Sequence, residues 1–293
     1  MEVHLIDGTY ELYRHYYALP GRQDEDGQEV AAMLGVMNSV LGMIKAGATH
    51  VGVATDHVIE SFRNTMYPGY KTGEGIEPAL WRQFHPLEEA LRAMGVVVWA
   101  MVDQEADDAL AAAAACAASD KKVTRVLICT PDKDLSQCVQ GTRVVQLDRR
   151  SGTVRDANGV REKFGVGPES IPDYLALVGD SADGFPGISG WGPKSAATVL
   201  ARHGHLEKIP DNPAQWDVTL RNAATLSVAL RQHWSDALLF RDLATLRTDA
   251  PVFKTVSDLE WKAPAADFER LCEKLRAPDT ARTAGELAKA RQR

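Results

Sequence analysis

The stretch Val126-Leu127-Ile128-Cys129-Thr130-Pro131-Asp132-Lys133-Asp134 decides how the rest of the chain is read. Its short apolar run, closed by Thr-Pro, predicts a buried strand, and two aspartates follow its carboxyl end. Ligands of parallel α/β sheets bind outside the carboxyl ends of the strands, so the residues after each strand are the ones to inspect. Val3–Ile6 is followed by Asp7, and Val51–Ala54 by Thr55 and Asp56. Val96–Trp99 leads into Glu105-Ala106-Asp107-Asp108, and Val144–Leu147 reads as a further strand. Between them, Val30–Ala46, Leu80–Met94 and Ala106–Ala118 have helical length and spacing. This alternation predicts an α/β fold: a mainly parallel central sheet flanked by helices, with right-handed crossovers.

Each acid alone has an ordinary explanation. An Asp after a strand is a turn former or an N-cap, and Glu105–Asp108 suits the positive end of a helix dipole. The convergence is harder to dismiss, because seven carboxylates at one sheet edge repel one another by several kcal/mol unless a cation neutralises them. A divalent metal is the natural answer. Hard oxygen donors without a His or Cys cluster favour Mg²⁺ or Mn²⁺ over zinc.

From Ile171 onward the strand signal ends. Pro172–Val178, Pro193–Ala201, Asn222–Gln232 and Asp267–Leu275 read as helices, which predicts a C-terminal helical subdomain. A second acidic pair, Asp180 and Asp183, precedes Phe185-Pro186-Gly187-Ile188-Ser189-Gly190-Trp191-Gly192-Pro193-Lys194. Gly187, Gly190 and Gly192 form a tight turn before a helix whose first turn carries Lys194 and Ser195. Exposed backbone N–H groups at such a helix start suit a phosphate. The order resembles a helix–hairpin–helix, which grips a DNA backbone without reading sequence. The segment 280–293 is polar, shows no clear apolar face and is expected to fray.

The 293 residues contain 40 Asp and Glu against 33 Lys and Arg, a net charge of −7 that on its own argues mildly against nucleic acid. No stretch approaches a membrane span, and the start lacks a basic, apolar leader, so a cytoplasmic location is expected. Cys116, Cys129, Cys138 and Cys272 have no zinc or disulfide spacing and are expected to be buried thiols.

Taken together, these stretches resemble the 5′-nuclease (flap endonuclease) superfamily, with its PIN-like core. The closest resemblance is to the 5′→3′ exonuclease domain of bacterial DNA polymerase I in a stand-alone form. The matching segments are Leu5-Ile6-Asp7-Gly8, Asp56 with Ser61-Phe62-Arg63, Tyr70-Lys71, Glu105–Asp108, Thr130–Leu135, and Gly179-Asp180 through Lys194-Ser195-Ala196, in family order. The resemblance implies a division into a nuclease core at 1–170, with an arch or clamp at about 68–92, and a helical subdomain at 171–279. The helix–hairpin–helix lies at about 174–203, and a polar tail fills 280–293.

The resemblance further implies two Mg²⁺ or Mn²⁺ ions held by Asp7, Asp56, Glu105, Asp107, Asp108, Asp132, Asp134, Asp180 and Asp183. Of these, Asp7, Asp56, Asp108 and Asp134, together with Lys71 at the scissile phosphate, carry the catalytic expectation. Tyr70 would stack on a terminal base, and Arg63 would contact the phosphate backbone or support the site. A K⁺ in the hairpin would use the carbonyls of Leu177, Val178, Pro186, Ile188 and Trp191. Taking nine site acids from the 40 leaves 31 against 33 basic residues, so the remaining surface need not repel DNA, although affinity should be modest and salt-sensitive.

The implied activity is metal-dependent hydrolysis of DNA at 5′ flaps, nicks or single-strand/double-strand junctions, with RNA–DNA primer ends as further substrates, by a nucleoid-associated monomer in replication and repair. Relatives that have lost acids or the lysine bind DNA with little cleavage; here all are present, which predicts an active nuclease over a structure-specific DNA-binding protein. Three positions depart from the pattern: Gly184 replaces a common Asn, Trp191 a small aliphatic, and Glu74 a basic residue. The segment Thr72–Leu91 sets Arg82 against Glu74, Glu77, Glu88 and Glu89, which leaves the strength of 5′-end capture open. Two rivals fit less well. A haloacid-dehalogenase-type phosphatase needs a nucleophilic Asp where Leu5 stands, and a PIN-type ribonuclease would not need the hairpin around Gly190.

Overall fold

The computed structural model describes residues 1–291. In chain order its elements begin with β1 (Glu2–Asp7), α1 (Gly8–Ala18), α2 (Ala31–Lys45), β2 (His50–Asp56), α3 (Phe62–Met66), α4 (Pro78–Trp81), α5 (Phe84–Ala93) and β3 (Val97–Met101). Then follow α6 (Ala106–Ser119), β4 (Arg125–Cys129), β5 (Val144–Asp148), β6 (Thr153–Arg155), α7 (Ala157–Phe164) and α8 (Ile171–Val178). The remainder is helical: α9 (Pro193–His203), α10 (Ala223–Gln232), α11 (Trp234–Ala244), α12 (Phe268–Lys274) and α13 (Pro278–Arg291). Among the described residues no helix is long and apolar enough to cross a membrane.

By proximity the chain forms two compact units, each assembled from separated segments. The first comprises Met1–Ile59, Gly73–Thr130 and the residues from Thr248 on; the second comprises Glu60–Thr72 and Pro131–Arg247. They follow spatial grouping, whereas the boundary expected at residue 170 follows the change from strand-bearing to helical sequence.

The first unit is built on four parallel strands in the order β3-β2-β1-β4. Their registers pair Ile6 with both Val53 and Cys129, and Ala54 with Trp99. Val3, Leu5, Val53, Val126 and Ile128 are sealed from solvent, as expected when helices cover a parallel sheet. The alanine run of α6 packs on all four strands, since side chains this short let a helix axis approach a sheet closely. At the end of β1 the chain turns directly into α1. Gly8 permits this: a Cβ there would fall 2.7 Å from Val53 Cγ1 and from Thr55 Cγ2, and 2.8 Å from the Ala54 carbonyl oxygen.

The second unit is mainly helical. Ile171, Leu175 and Leu177 of α8 pack with Phe185, Trp191, Trp216 and Phe240 in one buried cluster. Its β5–β6 hairpin is antiparallel, with Leu147 opposite Val154. The sequence gives no burial signal for β6, whose Val154 is exposed.

The expectation that 280–293 frays is corrected. Helix α13 continues to Arg291 and buries Thr280, Ala284 and Ala288, a face of small residues that does not register as an apolar stripe. Thr280 Oγ1 and Asn38 Oδ1 lie 2.9 Å apart, and Arg291 donates to the carbonyls of Trp261 and Ala48 over the Trp261 ring. Residues 292 and 293 lie outside the described residues.

Gly8→Ala should therefore lower unfolding stability by about 2–3 kcal/mol in urea denaturation, because the added methyl meets a backbone carbonyl and two β-branched side chains that cannot rotate away.

Candidate active-site residues

In the first unit the expected acids stand at parallel strand ends. Asp7 closes β1 and caps α1: its Oδ1 accepts the Tyr10 N–H at 2.8 Å and its Oδ2 the Thr130 hydroxyl at 3.0 Å. Asp56 closes β2, accepts the Ala106 N–H at 2.8 Å, and donates its own N–H to Thr9 Oγ1 at 2.9 Å. Glu105 and Asp108 are buried at the start of α6, where Asp108 Oδ2 accepts the Glu105 N–H at 3.0 Å. Asp107 is half-buried in the same turn. All five acids thus stand on backbone donors or in a helix start, where the local dipole favours negative charge.

A clasp around Asp56 was not legible in the sequence. Glu88 on α5 is 2% exposed and accepts the Thr55 hydroxyl at 2.8 Å, with His57 Nδ1 also 2.8 Å away. The two neighbours of Asp56 are thus tied to one buried carboxylate. Glu88 accordingly does not add to the exposed negative charge of the 72–91 segment.

In the second unit, Asp134, Asp180 and Asp183 each bring a carboxylate oxygen within 4.8 Å of the others. A buried 3₁₀ turn, Asp134–Cys138, presents Asp134. The loop before it is fixed by Gln146, which donates to the Asp132 carbonyl at 2.6 Å, and by Gln137, which donates to the carbonyls of Asp134 and Ala244. Asp132 is exposed and accepts the Asp134 N–H at 3.0 Å. Asp180 and Phe185 exchange backbone hydrogen bonds, which folds the loop so that Asp183 returns beside Asp180.

Two lysines neutralise the outer members of this group. Lys133 Nζ lies 2.6 Å from Asp180 Oδ2, and Lys71 Nζ lies 3.1 Å from Asp183 Oδ1. The Lys71 N–H also donates to the Asp183 carbonyl at 3.0 Å. Asp134 is left at the centre, with a buried Oδ1 that has no hydrogen-bond partner. Burial, reinforced by the charges of Asp132, Asp183 and Asp180, pushes the Asp134 carboxyl well above the usual carboxylate range. Burial draws the Lys133 ammonium down, but the hydrogen bond and charge of Asp180 outweigh it and leave the ammonium above its ordinary range. Two like charges at this separation repel by roughly 3–4 kcal/mol at an effective dielectric of 20. An orphaned oxygen in an all-carboxylate group fits a hard divalent cation.

The remaining expected residues fall into place unevenly. Tyr70 is corrected as a stacking surface: its ring is 3% exposed and lies in the helical core, leaving no face for a base. Arg63 is 1% exposed and donates to the carbonyls of Leu243 and Thr245 at 2.8 and 3.1 Å, so its guanidinium is engaged inside the protein. The hairpin forms between α8 and α9, with Gly187 and Gly190 at φ of +72° and +84°. Gly192 caps α9, Ser195 Oγ bonds the Gly192 N–H and carbonyl, and Lys194 is exposed in the first turn.

Of the carbonyls expected to face K⁺, those of Leu177 and Ile188 already accept the N–H of Ile188 and Trp191. Val178, Pro186 and Trp191 complete that expected set, and the Pro186 carbonyl lies against Gly179. Two of the departures have a structural reason. Gly184 has φ of +87°, and a Cβ there would stand 2.1 Å from the Gly69 carbonyl oxygen, which rules out Asn in this loop. Trp191 is 6% exposed, packs 5.8 Å from the Trp216 ring, and donates to the Leu226 carbonyl at 3.2 Å.

Comparison with known proteins gives the family and the fold. The model for the 5′-3′ exonuclease N-terminal resolvase-like domain matches residues 2–165, and that for the 5′-3′ exonuclease C-terminal SAM fold matches residues 166–267. The chain belongs to the 5′-3′ exonuclease family. A 5′-3′ exonuclease of Aquifex aeolicus is 32% identical over 275 residues, which cover 93% of this chain and 90% of that protein. DNA polymerase I of Pseudomonas aeruginosa is 35% identical over 256 residues, but the match takes in 27% of its length, so this chain spans about a quarter of the polymerase. Among solved structures, a T5 5′-exonuclease with bound divalent zinc ions superposes with a TM-score of 0.64 at 15% identity, covering 99% of this chain and 98% of that one. The catalytic core of Rad2 in complex with DNA substrate gives a TM-score of 0.61 at 16% identity, covering 97% and 91%. At these identities the likeness to the solved structures is one of fold.

Asp134→Asn removes a buried negative charge from among three others while keeping its shape. In the presence of EDTA this variant should unfold later than wild type, by on the order of 1–2 kcal/mol in thermal or urea denaturation. Added Mg²⁺ or Mn²⁺ should stabilise wild type markedly and the variant little.

Proposed function

We propose that this member of the 5′-3′ exonuclease family is a structure-specific 5′ nuclease, acting as a Mg²⁺- or Mn²⁺-dependent 5′→3′ exonuclease and flap endonuclease. Its substrates would be DNA with a 5′ flap, nick or single-strand/double-strand junction, and RNA–DNA primer ends, as replication and repair produce them. The observation that carries this reading is the Asp134–Asp180–Asp183 group, with its buried, partnerless oxygen beside Lys71, in a chain matched by the family models across residues 2–267.

On this reading Asp134, Asp180 and Asp183 hold one cation, while Asp7, Asp56, Glu105, Asp107, Asp108 and Asp132 are the remaining carboxylates for the pair expected of the family. Bound divalent ions supply a hydroxide from water near neutral pH and stabilise the charge that develops on the phosphoryl group. The protein's own residues prepare that step. Lys71 is tethered through its backbone to Asp183, so its ammonium remains beside the acids and can bond a non-bridging oxygen of the scissile phosphate. Burial of Asp134 keeps bulk water from competing for the cation's ligands. The open N-terminus of α9, with Gly192 and exposed Lys194, binds a phosphate of the duplex backbone without reading its sequence. The hairpin carbonyls of Leu177, Val178, Pro186, Ile188 and Trp191 are the proposed place for K⁺, and 68–92 is the proposed arch.

The test is cleavage of a 5′-labelled DNA flap with Mg²⁺ or with EDTA, comparing wild type with Asp134→Asn. Wild type should cut near the junction only with the metal, and the substitution should reduce the rate by at least about a thousandfold. Firm binding without cutting in either Mg²⁺ or Mn²⁺ would instead mark the chain as a structure-specific DNA-binding protein.

A further inference from the structure

Lys133 lies between the two acids of Asp132-Lys133-Asp134, and its ammonium reaches across to Asp180. The contact is directed. Asp180 Oδ1 accepts the Ala182 N–H at 2.9 Å, which commits that oxygen to the loop and turns Oδ2 toward Lys133 Nζ at 2.6 Å. A divalent cation that takes Asp180 through Oδ2 therefore takes the acceptor of Lys133. The two positive charges cannot share that oxygen at close range without repulsion.

The lysine is free to leave. Its side chain is 35% exposed, against 3% for Asp180, and four methylenes let the ammonium swing outward while the carboxylate stays fixed. Lys71 stands in the same relation to Asp183, at 3.1 Å and 27% exposed. The group thus carries one lysine for each of its two outer acids, arranged alike.

We propose that Lys133 is a positioning residue that keeps the metal's place. Its ammonium neutralises Asp180 while no divalent ion is bound, is displaced when an ion enters the Asp134–Asp180–Asp183 group, and then serves a phosphate of the substrate. This rests on the metal-dependent reading above and adds to it a coupling: metal entry releases a cation for DNA, and DNA that engages that cation favours the metal in return.

Mn²⁺ binding, followed by calorimetry or by electron paramagnetic resonance, tests the proposal on wild type, Lys133→Gln, Lys133→Arg and Asp134→Asn. Removing the competing ammonium should tighten Mn²⁺ binding by roughly three- to tenfold in Lys133→Gln. Lys133→Arg, which keeps the charge, should stay near wild type. Fluorescence anisotropy with a 5′-flap duplex adds a second readout. Replacing EDTA by Ca²⁺ should raise the affinity of wild type more than that of Lys133→Gln.

Unchanged or weaker Mn²⁺ binding in Lys133→Gln would overturn the proposal and leave Lys133 a structural brace. Tighter binding in Lys133→Arg would also overturn it, since charge would not be the cause. If wild type binds no Mn²⁺, or if Asp134→Asn binds it as wild type does, the metal-dependent reading fails and this inference with it.

Discussion

Like charges held close together and away from water are the constraint that shapes the second unit. Asp134 cannot be buried beside Asp180 and Asp183 unless counter-charge and fixed geometry come with it. Lys71 and Lys133 supply the charge. The geometry comes from polar side chains and backbone: Gln137 and Gln146 fasten the loop of Asp134, and the bonds between Asp180 and Phe185 fasten the other side. Arg63, buried against carbonyls at the C-terminal end of α11, holds the segment that carries Lys71 within this unit. The result is a group of carboxylates held by hydrogen bonds and ion pairs, so that an entering cation would meet ligands already in place.

The first unit meets the same difficulty by another route. Its acids are separated by strand spacing, and backbone N–H groups and a hydroxyl bond their carboxylates. Helix starts at Gly8 and Ala106 provide the donors, so the parallel register of β1 and β2 and the placement of α6 do the electrostatic work. Glu88 extends this to the chain on either side of Asp56. A charged group seen as part of an acidic surface segment is in fact an internal acceptor.

The sequence made legible whatever is written in short range. Apolar runs of strand length located the five longer strands, and the acid after each run located Asp7, Asp56 and Asp134. The Gly-rich spacing before Pro193 located the hairpin. What escaped depends on partners distant in the chain. Tyr70 next to Lys71 looks like a surface pair, and only the packing of α8 and Phe185 around it shows a core residue. Arg63 finds its acceptors some 180 residues away. Helix α1 buries Gly8, Glu11 and Leu12, a face without an apolar stripe, whereas α11 does carry helical spacing in Ala237, Phe240 and Ala244, which a reading centred on acids and glycines passes over. Glu88 and Thr55 give no signal at all, because a buried carboxylate and a buried hydroxyl look in sequence like any surface pair.

The discontinuous make-up of the two units bears on how the chain is born. As residues leave the ribosome, the four parallel strands are complete once Cys129 has emerged, yet the first unit still lacks the residues from Thr248 on. The indole of Trp99 on β3 donates to the Val252 carbonyl, and His50 on β2 pairs with Glu260, so part of the cover of that sheet arrives last. Throughout the synthesis of α7 to α11, the nascent sheet must wait partly uncovered. The second unit is complete at Arg247 and can close first, whereas a polypeptide stalled before Thr248 would leave the first unit without its last segment and open to chaperones and proteases.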